Sequence, residues 1–162
     1  MHDSSPLDAG HQDGGVNDAE ESAGLASTPG YRYADRAGDR LFVAGQVPLD
    51  QDGALVGGND PAVQARTCLD NLELLVGVHD FCIDDIRHLT VYVVGEHQNL
   101  LDAWAAVTGW FGHPSRLGDA VPPATLLGVH LLGHGGQLVE IDASVVRRPV
   151  EPPRRPPTED AP

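Results

Sequence analysis

Glu140, Asp142 and Ser144 alternate with Val139, Ile141, Ala143 and Val145, the period-two pattern of a strand with one apolar face. A carboxylate set among such neighbours suits orienting a water molecule or transferring a proton. An ion pair with a nearby arginine is the structural alternative. Asp142 shares the strand face and suits structural hydrogen bonding. Tyr31 can stack over a ligand or donate its hydroxyl, or serve as an ordinary interface tyrosine. His130 and His134 are four apart, a spacing that reads as a metal pair only on a helix. Here they straddle a strand and its turn with no third ligand, so no metal is expected. Cys68 lies in a helical apolar stripe and reads as a small core hydrophobe. Trp104 and Trp110 read as packing residues. No Ser-His-Asp or Cys-His arrangement has supporting motif context. Lysine is absent from the 162 residues, which excludes Schiff-base lysine chemistry, lysine-anchored pyridoxal phosphate and a Walker P-loop. Cys68 and Cys82 alone supply no disulfide framework and no four-thiolate zinc site.

The formal net charge is −14, which disfavours nucleic acid and anionic membrane as partners, because both reward clustered cations. Residues 1–28 contain six acidic residues, no arginine and only Leu7, Val16 and Leu25 from the set Val, Leu, Ile and Phe. Too little apolar surface is available there to offset ordering entropy, so a disordered acidic tail is expected. Residues 149–162 hold six of the 13 prolines and read as a stiff, extended tail. The acidic stretch accounts for six of the fourteen negative charges and the Pro-rich end for one, leaving −7 on the domain at 29–148. No apolar run nears the ~20 residues of a membrane span, and the acidic start is unlike a signal peptide, so a cytoplasmic, reduced protein is expected.

The elements that must position these residues follow from local pattern. Tyr31 to Ala37 and Arg40 to Gln46 flank Gly38-Asp39, a two-residue hairpin turn. Asp60 can cap a helix that Pro61 opens. Ala65, Cys68, Leu69, Leu72, Leu75 and Val76 form its apolar stripe, and Gly77 reads as its stop. Leu89 to Val94 is a β-branched run and reads as a buried strand. A second helix is expected over about Leu100 to Phe111, with Leu100, Trp104, Val107 and Phe111 on one face. Thr125 to Leu132 and Gln137 to Val146 read as a second hairpin around Gly133-His134-Gly135-Gly136. The order β-β-α-β-α-β-β predicts an α+β layer, a mixed sheet with two helices on one face. No third helix covers the other face, so oligomerisation through the sheet is expected.

Together these residues resemble the Rid proteins (the reactive intermediate deaminase, or YjgF-like, family). The matching motifs are Gly-Tyr31-Arg-Tyr-Ala, Arg36-Ala-Gly-Asp39, Leu41-Phe-Val-Ala-Gly-Gln-Val-Pro48, Gln64 through Asn71-Leu72, Asp85-Ile86 with Thr90-Val-Tyr-Val93, Pro123 through Val129, and Val139-Glu-Ile-Asp-Ala143. They cover about residues 29–147. The resemblance implies a chorismate-mutase-like fold in a homotrimer, with the sheets forming an inner barrel and ligand clefts between subunits. It implies hydrolysis of 2-imino or 2-enamino acids without cofactor or metal. An arginine at the start of the penultimate strand grips the substrate carboxylate in the best-known members. A glutamate in the last strand orients water, and a tyrosine near the N-terminus closes the cleft.

Carried over residue by residue, Tyr31 matches the tyrosine and Glu140 the glutamate. The arginine position falls on Ala124, and the serine often found before Gly-Gln is Ala44. The carboxylate clamp is therefore missing, and the cleft should be wider and less polar than in arginine-bearing relatives. Thr125 can offer a hydroxyl to a ligand, though strand threonines commonly serve packing. Arg116, in the Pro114–Pro122 loop, can supply a displaced cation, and a solvated loop arginine is its simpler reading. The expected function is a cofactor-free cleft enzyme using water or proton chemistry on an imine, enamine or related reactive carbonyl compound without the usual carboxylate, cyclisation or rearrangement included. The alternative is a non-catalytic trimer that binds a metabolite or a partner protein.

Overall fold

The computed structural model describes residues 17–114 and 121–148. In chain order the elements are α1 (Asp18–Ser22), β1 (Ala34–Ala37), β2 (Arg40–Val43), α2 (Pro61–Val78), a short 3-10 turn (Ile83–Asp85), β3 (Ile86–Val94), α3 (His97–Phe111), β4 (Ala124–Val129) and β5 (Val139–Val146). The sheet order is β1-β2-β5-β3-β4. β4 runs parallel to β3, and the other neighbours are antiparallel. The α+β mixed sheet is thus the expected fold class.

α2 begins as its sequence dictates. One oxygen of Asp60 accepts the Ala62 and Val63 amides at 2.9 and 3.1 Å, and Pro61 takes the position where a missing N–H costs nothing. Ala65, Cys68, Leu69, Leu72, Leu75 and Val76 are all buried. They pack against Leu89, Val91 and Val93 of β3, Val139, Ile141 and Val145 of β5, and Val107 and Phe111 of α3 in one core. The helix passes through Gly77 and ends later. Phe81 N–H donates to Val76 O and Asp80 N–H to Gly77 O, at 2.9 and 3.1 Å, with Asp80 itself at φ +62°. This is the Schellman pattern with an aspartate in the left-handed position where glycine is usual. Arg36 reaches the Asp80 carboxylate at 3.4 Å, and Arg147 donates to its carbonyl at 2.7 Å.

Two further expectations are corrected. Residues 17–28 are not a loose tail. Asn17, Glu20, Leu25 and Ala26 are buried, and Leu25 joins the core. Few apolar residues suffice there because polar anchors do the holding: Asn17 bonds Thr28 Oγ1, Tyr31 O and Tyr33 N–H, and Glu20 meets His79 at 2.9 Å. Residues 1–16 and 149–162 lie outside the described residues.

β4 and β5 are likewise not a hairpin. The loop 130–138 carries the chain past β3 and sets β5 between β2 and β3. Local alternation fits either arrangement, but a central position covers the Val139, Ile141 and Val145 stripe with α2 and fills both ladder edges of the longer strand. α2 and α3 cover one sheet face. The opposite face carries Phe42, Thr125 and Leu127 exposed to solvent, with Tyr92, Glu140 and Asp142 partly so. Among the described residues no helix is long and apolar enough to cross a membrane.

Candidate functional site

Glu140 sits in β5 opposite Tyr92 of β3, on the face away from the helices. Its surroundings are set by an irregularity in the neighbouring strand. Phe42 pairs with Ser144, and the next bridge joins Gln46 to Ile141. Three residues, Val43, Ala44 and Gly45, therefore oppose two, Asp142 and Ala143, which is a β-bulge. The bulge brings Gly45 under the Glu140 carboxylate. A Cβ at Gly45 would lie 2.8 Å from the Glu140 carboxyl carbon and closer still to Oε1. Only glycine leaves room for the carboxylate at this point.

Two buried glutamines hold the start of β5, and one of them bonds the carboxylate itself. Gln64, fully buried in α2, accepts the Leu138 and Val139 amides at 2.7 and 3.2 Å and donates to Gly58 O and Gly136 O. It thereby fixes the start of β5. Gln137 donates to Val139 O and to Glu140 Oε2, each at 3.1 Å. Sequence reasoning did not pick out Gln137, Gln46 or Asn17 for the site. Hydrophobic patterning gives no signal for a buried amide, because glutamine and asparagine usually stand at the surface. Gly45 and Gln64 belong to the quoted motifs but carried no assigned role.

Tyr31 lies just before β1, partly exposed, with its carbonyl held by Asn17 and Thr28. Its phenol is held above the ordinary value, first by partial burial and then by the negative field of Glu140. Burial pushes Tyr33 up to about 12, with Tyr31, Glu21 and Glu20 adding to it. The Tyr33 hydroxyl donates to Ala26 O at 2.8 Å, a structural tie. Burial also pushes the Cys68 thiol well up, and Glu140 adds to it. That matches a core thiol rather than a nucleophile.

Asp142 accepts the Tyr92 hydroxyl at 3.0 Å, the structural hydrogen bonding expected of it. This bond and then burial raise the Tyr92 phenol. A groove of about 290 Å³ along β2 and β5, lined in part by Arg40, Phe42, Asp142 and Ser144, lies one step along the strand from Glu140 and does not include it. His130 and His134 sit on the loop after β4, and among the described residues no three His, Cys, Asp or Glu side chains are placed to share a metal ion. Trp110 donates to Asp70 at 2.7 Å and packs edge-on against Phe111.

Not every candidate joins this cluster. Ala44 belongs to the bulge and lies beside it. Ala124 and Thr125 start β4, where Ala124 aligns with Leu89 and Thr125 with Thr90. Glu140 aligns with Tyr92, three residues further along β3 and across it. Strand rise and spacing put Ala124 roughly 14 Å from Glu140 of the same chain. Leu126 packs on the core and Gly128 faces Leu100 of α3, so Ala124 is on the helix side of the sheet, opposite to Glu140. Thr125 Oγ1 stands 3.3 Å from His88 Nε2. Arg116 lies outside the described residues.

The comparisons agree with this architecture. The family model described as endoribonuclease L-PSP matches residues 22–147. A RutC family protein of Pyrococcus horikoshii is 36% identical over 64 residues, which is 39% of this chain and 50% of that protein. A RutC family protein of Sulfurisphaera tokodaii is 32% identical over 63 residues, again 39% and 50%. The chain thus spans about half the length of the curated relatives it matches. Among solved structures, the YjgF gene product of E. coli is similar at a TM-score of 0.66 and 26% identity, over 76% of this chain and 92% of that one. E. coli TdcF with bound serine gives 0.66 and 22%, over the same shares. On the match across 22–147 and these likenesses, the chain belongs to the endoribonuclease L-PSP family, the Rid or YjgF-like proteins.

Proposed function

We propose that this protein is a cofactor-independent hydrolase of imines or enamines that carry no carboxylate next to the reacting carbon. The observation that carries the reading is the Glu140 carboxylate set against Gly45 on the sheet face that no helix covers, together with alanine at position 124. The Glu140 carboxylate accepts a proton from water as the water oxygen attacks the iminium carbon. That proton passes to nitrogen, and the freed carboxylate takes the hydroxyl proton of the adduct as the C–N bond breaks, so that a carbonyl compound and ammonia leave. A protonated imine is already electrophilic, so a positioned water and one base suffice. Tyr31 orients the ligand from the exposed side. A site built around a carboxylate, with alanine in place of the clamp, favours a neutral or cationic substrate.

The separation of Ala124 and Thr125 from Glu140 supports a cleft shared between subunits of a homotrimer, in which one chain's β4 faces its neighbour's Glu140. The uncovered sheet face supports the same assembly. A small-molecule partner, rather than RNA or membrane, accords with the net charge of −14. A second reading has its own support: E. coli TdcF was solved with bound serine, which favours binding of a small metabolite by a protein of this fold. The variant Glu140→Gln separates the two. With acetophenone imine as probe, turnover to acetophenone and ammonia should fall about 10²–10⁴-fold, the usual contribution of a general base. Unchanged turnover in a folded variant would remove Glu140 from catalysis. Binding of the imine by wild type without any turnover would favour the metabolite-binding reading.

A further inference from the structure

We propose that Gln137 is a positioning residue for Glu140: its amide ties down one carboxylate oxygen and leaves the other as the acceptor over Gly45. The inference rests on the catalytic reading of Glu140 and adds a residue to it.

The geometry fixes the amide from both ends. The His134 backbone N–H donates to Gln137 Oε1 at 3.1 Å, so the side-chain oxygen can only be the atom that faces His134. Both protons of Nε2 then point the other way. One meets Val139 O and the other Glu140 Oε2, each at 3.1 Å. Every donor and acceptor of the amide group is accounted for, one lone pair of its oxygen aside. The group is 3% exposed, so flipping it would strand two acceptors and a donor without water to replace them. The Gln137 N–H also donates to His134 O at 3.1 Å, which closes the turn on itself. The strand start beside it is held to α2 by Gln64. A rigid path of hydrogen bonds therefore runs from the buried face of α2 to Glu140 Oε2.

The consequence for chemistry lies in the oxygen that remains. Oε2 is occupied by a donor, so it is the poorer proton acceptor of the two. Oε1 lies against Gly45, where no side chain can stand. Water bound to Oε1 is thereby placed on one side of the carboxylate, and a rotation that would exchange the two oxygens breaks the Gln137 bond. A fixed base of this kind lowers the orientational cost of attack.

The test needs a readout in the ligand-free protein as well as a rate. The Glu140 charge adds to the raised Tyr31 phenol, and the chain has three tyrosines in all. Their ring carbons can be followed separately by NMR from pH 8 upward in ¹³C-tyrosine protein. Gln137→Met keeps length and flexibility without donors. Its Tyr31 midpoint should move toward that of Glu140→Gln, while Tyr33, held up mainly by burial, moves much less. With acetophenone imine, kcat should fall at least tenfold in Gln137→Met with KM within about threefold. In the Glu140→Gln background the same change should have no further effect, since the two residues act as one unit.

A folded Gln137→Met protein with the wild-type Tyr31 midpoint would overturn the proposal. So would a loss of rate of equal size in both backgrounds, which would mark a merely structural role. Should the variant fail to fold, the Gln137 side-chain amide resonances of wild type and Glu140→Gln decide the matter. They should exchange slowly and shift when the carboxylate is removed, and an amide insensitive to Glu140 contradicts the tie. If Glu140→Gln turns over the imine normally, the catalytic reading fails on its own, and the Tyr31 titration still judges the contact.

Discussion

Glu140 is confined by what surrounds it more than by its own strand. Gly45 below and Gln137 beside it define where the carboxylate can be. Gly45→Ala tests the first of these. The added methyl group must displace the carboxylate or the bulge, so turnover should fall at least tenfold while the melting temperature changes by only a few degrees. Normal kinetics in this variant would show that the carboxylate tolerates displacement. Asp85 is a second residue-scale case, structural in kind. Burial alone would raise its carboxyl, but the amides of Arg148 and Cys82 and the Cys82 thiol donate to it and hold it below the ordinary carboxylate value. A depressed folded-state value means that the stabilisation is present in full above the unfolded value of about 4 and is lost as pH falls through the folded value. Asp85→Asn should therefore cost about 1.5–3 kcal/mol at pH 7, the range for hydrogen bonds to a charged group. The gap between variant and wild type should close as melting is measured toward pH 3. A constant gap across that range would contradict the ionic origin of the effect.

At the scale of elements, the segment from Asn17 to Tyr31 connects stability to the site. Asn17 satisfies the buried Tyr33 N–H and grips the Tyr31 carbonyl. Asn17→Ala leaves that N–H without its partner and should destabilise by about 1–3 kcal/mol. Deleting residues 1–28 removes Leu25 from the core as well and should lower the melting temperature by several degrees. An unchanged midpoint after that deletion would mean the segment contributes no stability. This was the region least legible in the sequence. Three apolar residues among six acids read as a tail, and the polar anchors that dock it carry no periodic signal. α2 was legible to the residue at its start, because a cap, a proline and an apolar stripe agree locally. Its end was not, since an aspartate adopted the left-handed position that Gly77 seemed made for. Strand partnering was hidden for a related reason. Alternation places side chains on faces, but it does not say whether β5 returns beside β4 or inserts next to β2. Within the site, Glu140 and Tyr31 stood out by type, and Gln137 did not, because its role exists only through contacts made after folding.

At the scale of the molecule, one chain holds the two parts of the candidate site apart. Glu140 and Gly45 lie together, whereas position 124 is roughly 14 Å from Glu140 by strand spacing. A cleft completed by a neighbouring copy reconciles this with a single function, and light scattering should give about three times the chain mass of 17.1 kDa. A stable monomer at micromolar concentration would contradict the shared cleft. The central claim concerns substrate charge, and a comparison of two imines tests it most directly. Wild-type kcat/KM for acetophenone imine should exceed that for 2-iminopropionate by at least tenfold, since a charge-assisted hydrogen bond worth about 1.5–3 kcal/mol is missing for the carboxylate. Ala124→Arg should narrow or reverse that ratio. A wild-type preference for 2-iminopropionate, unaltered by arginine at position 124, would contradict the account.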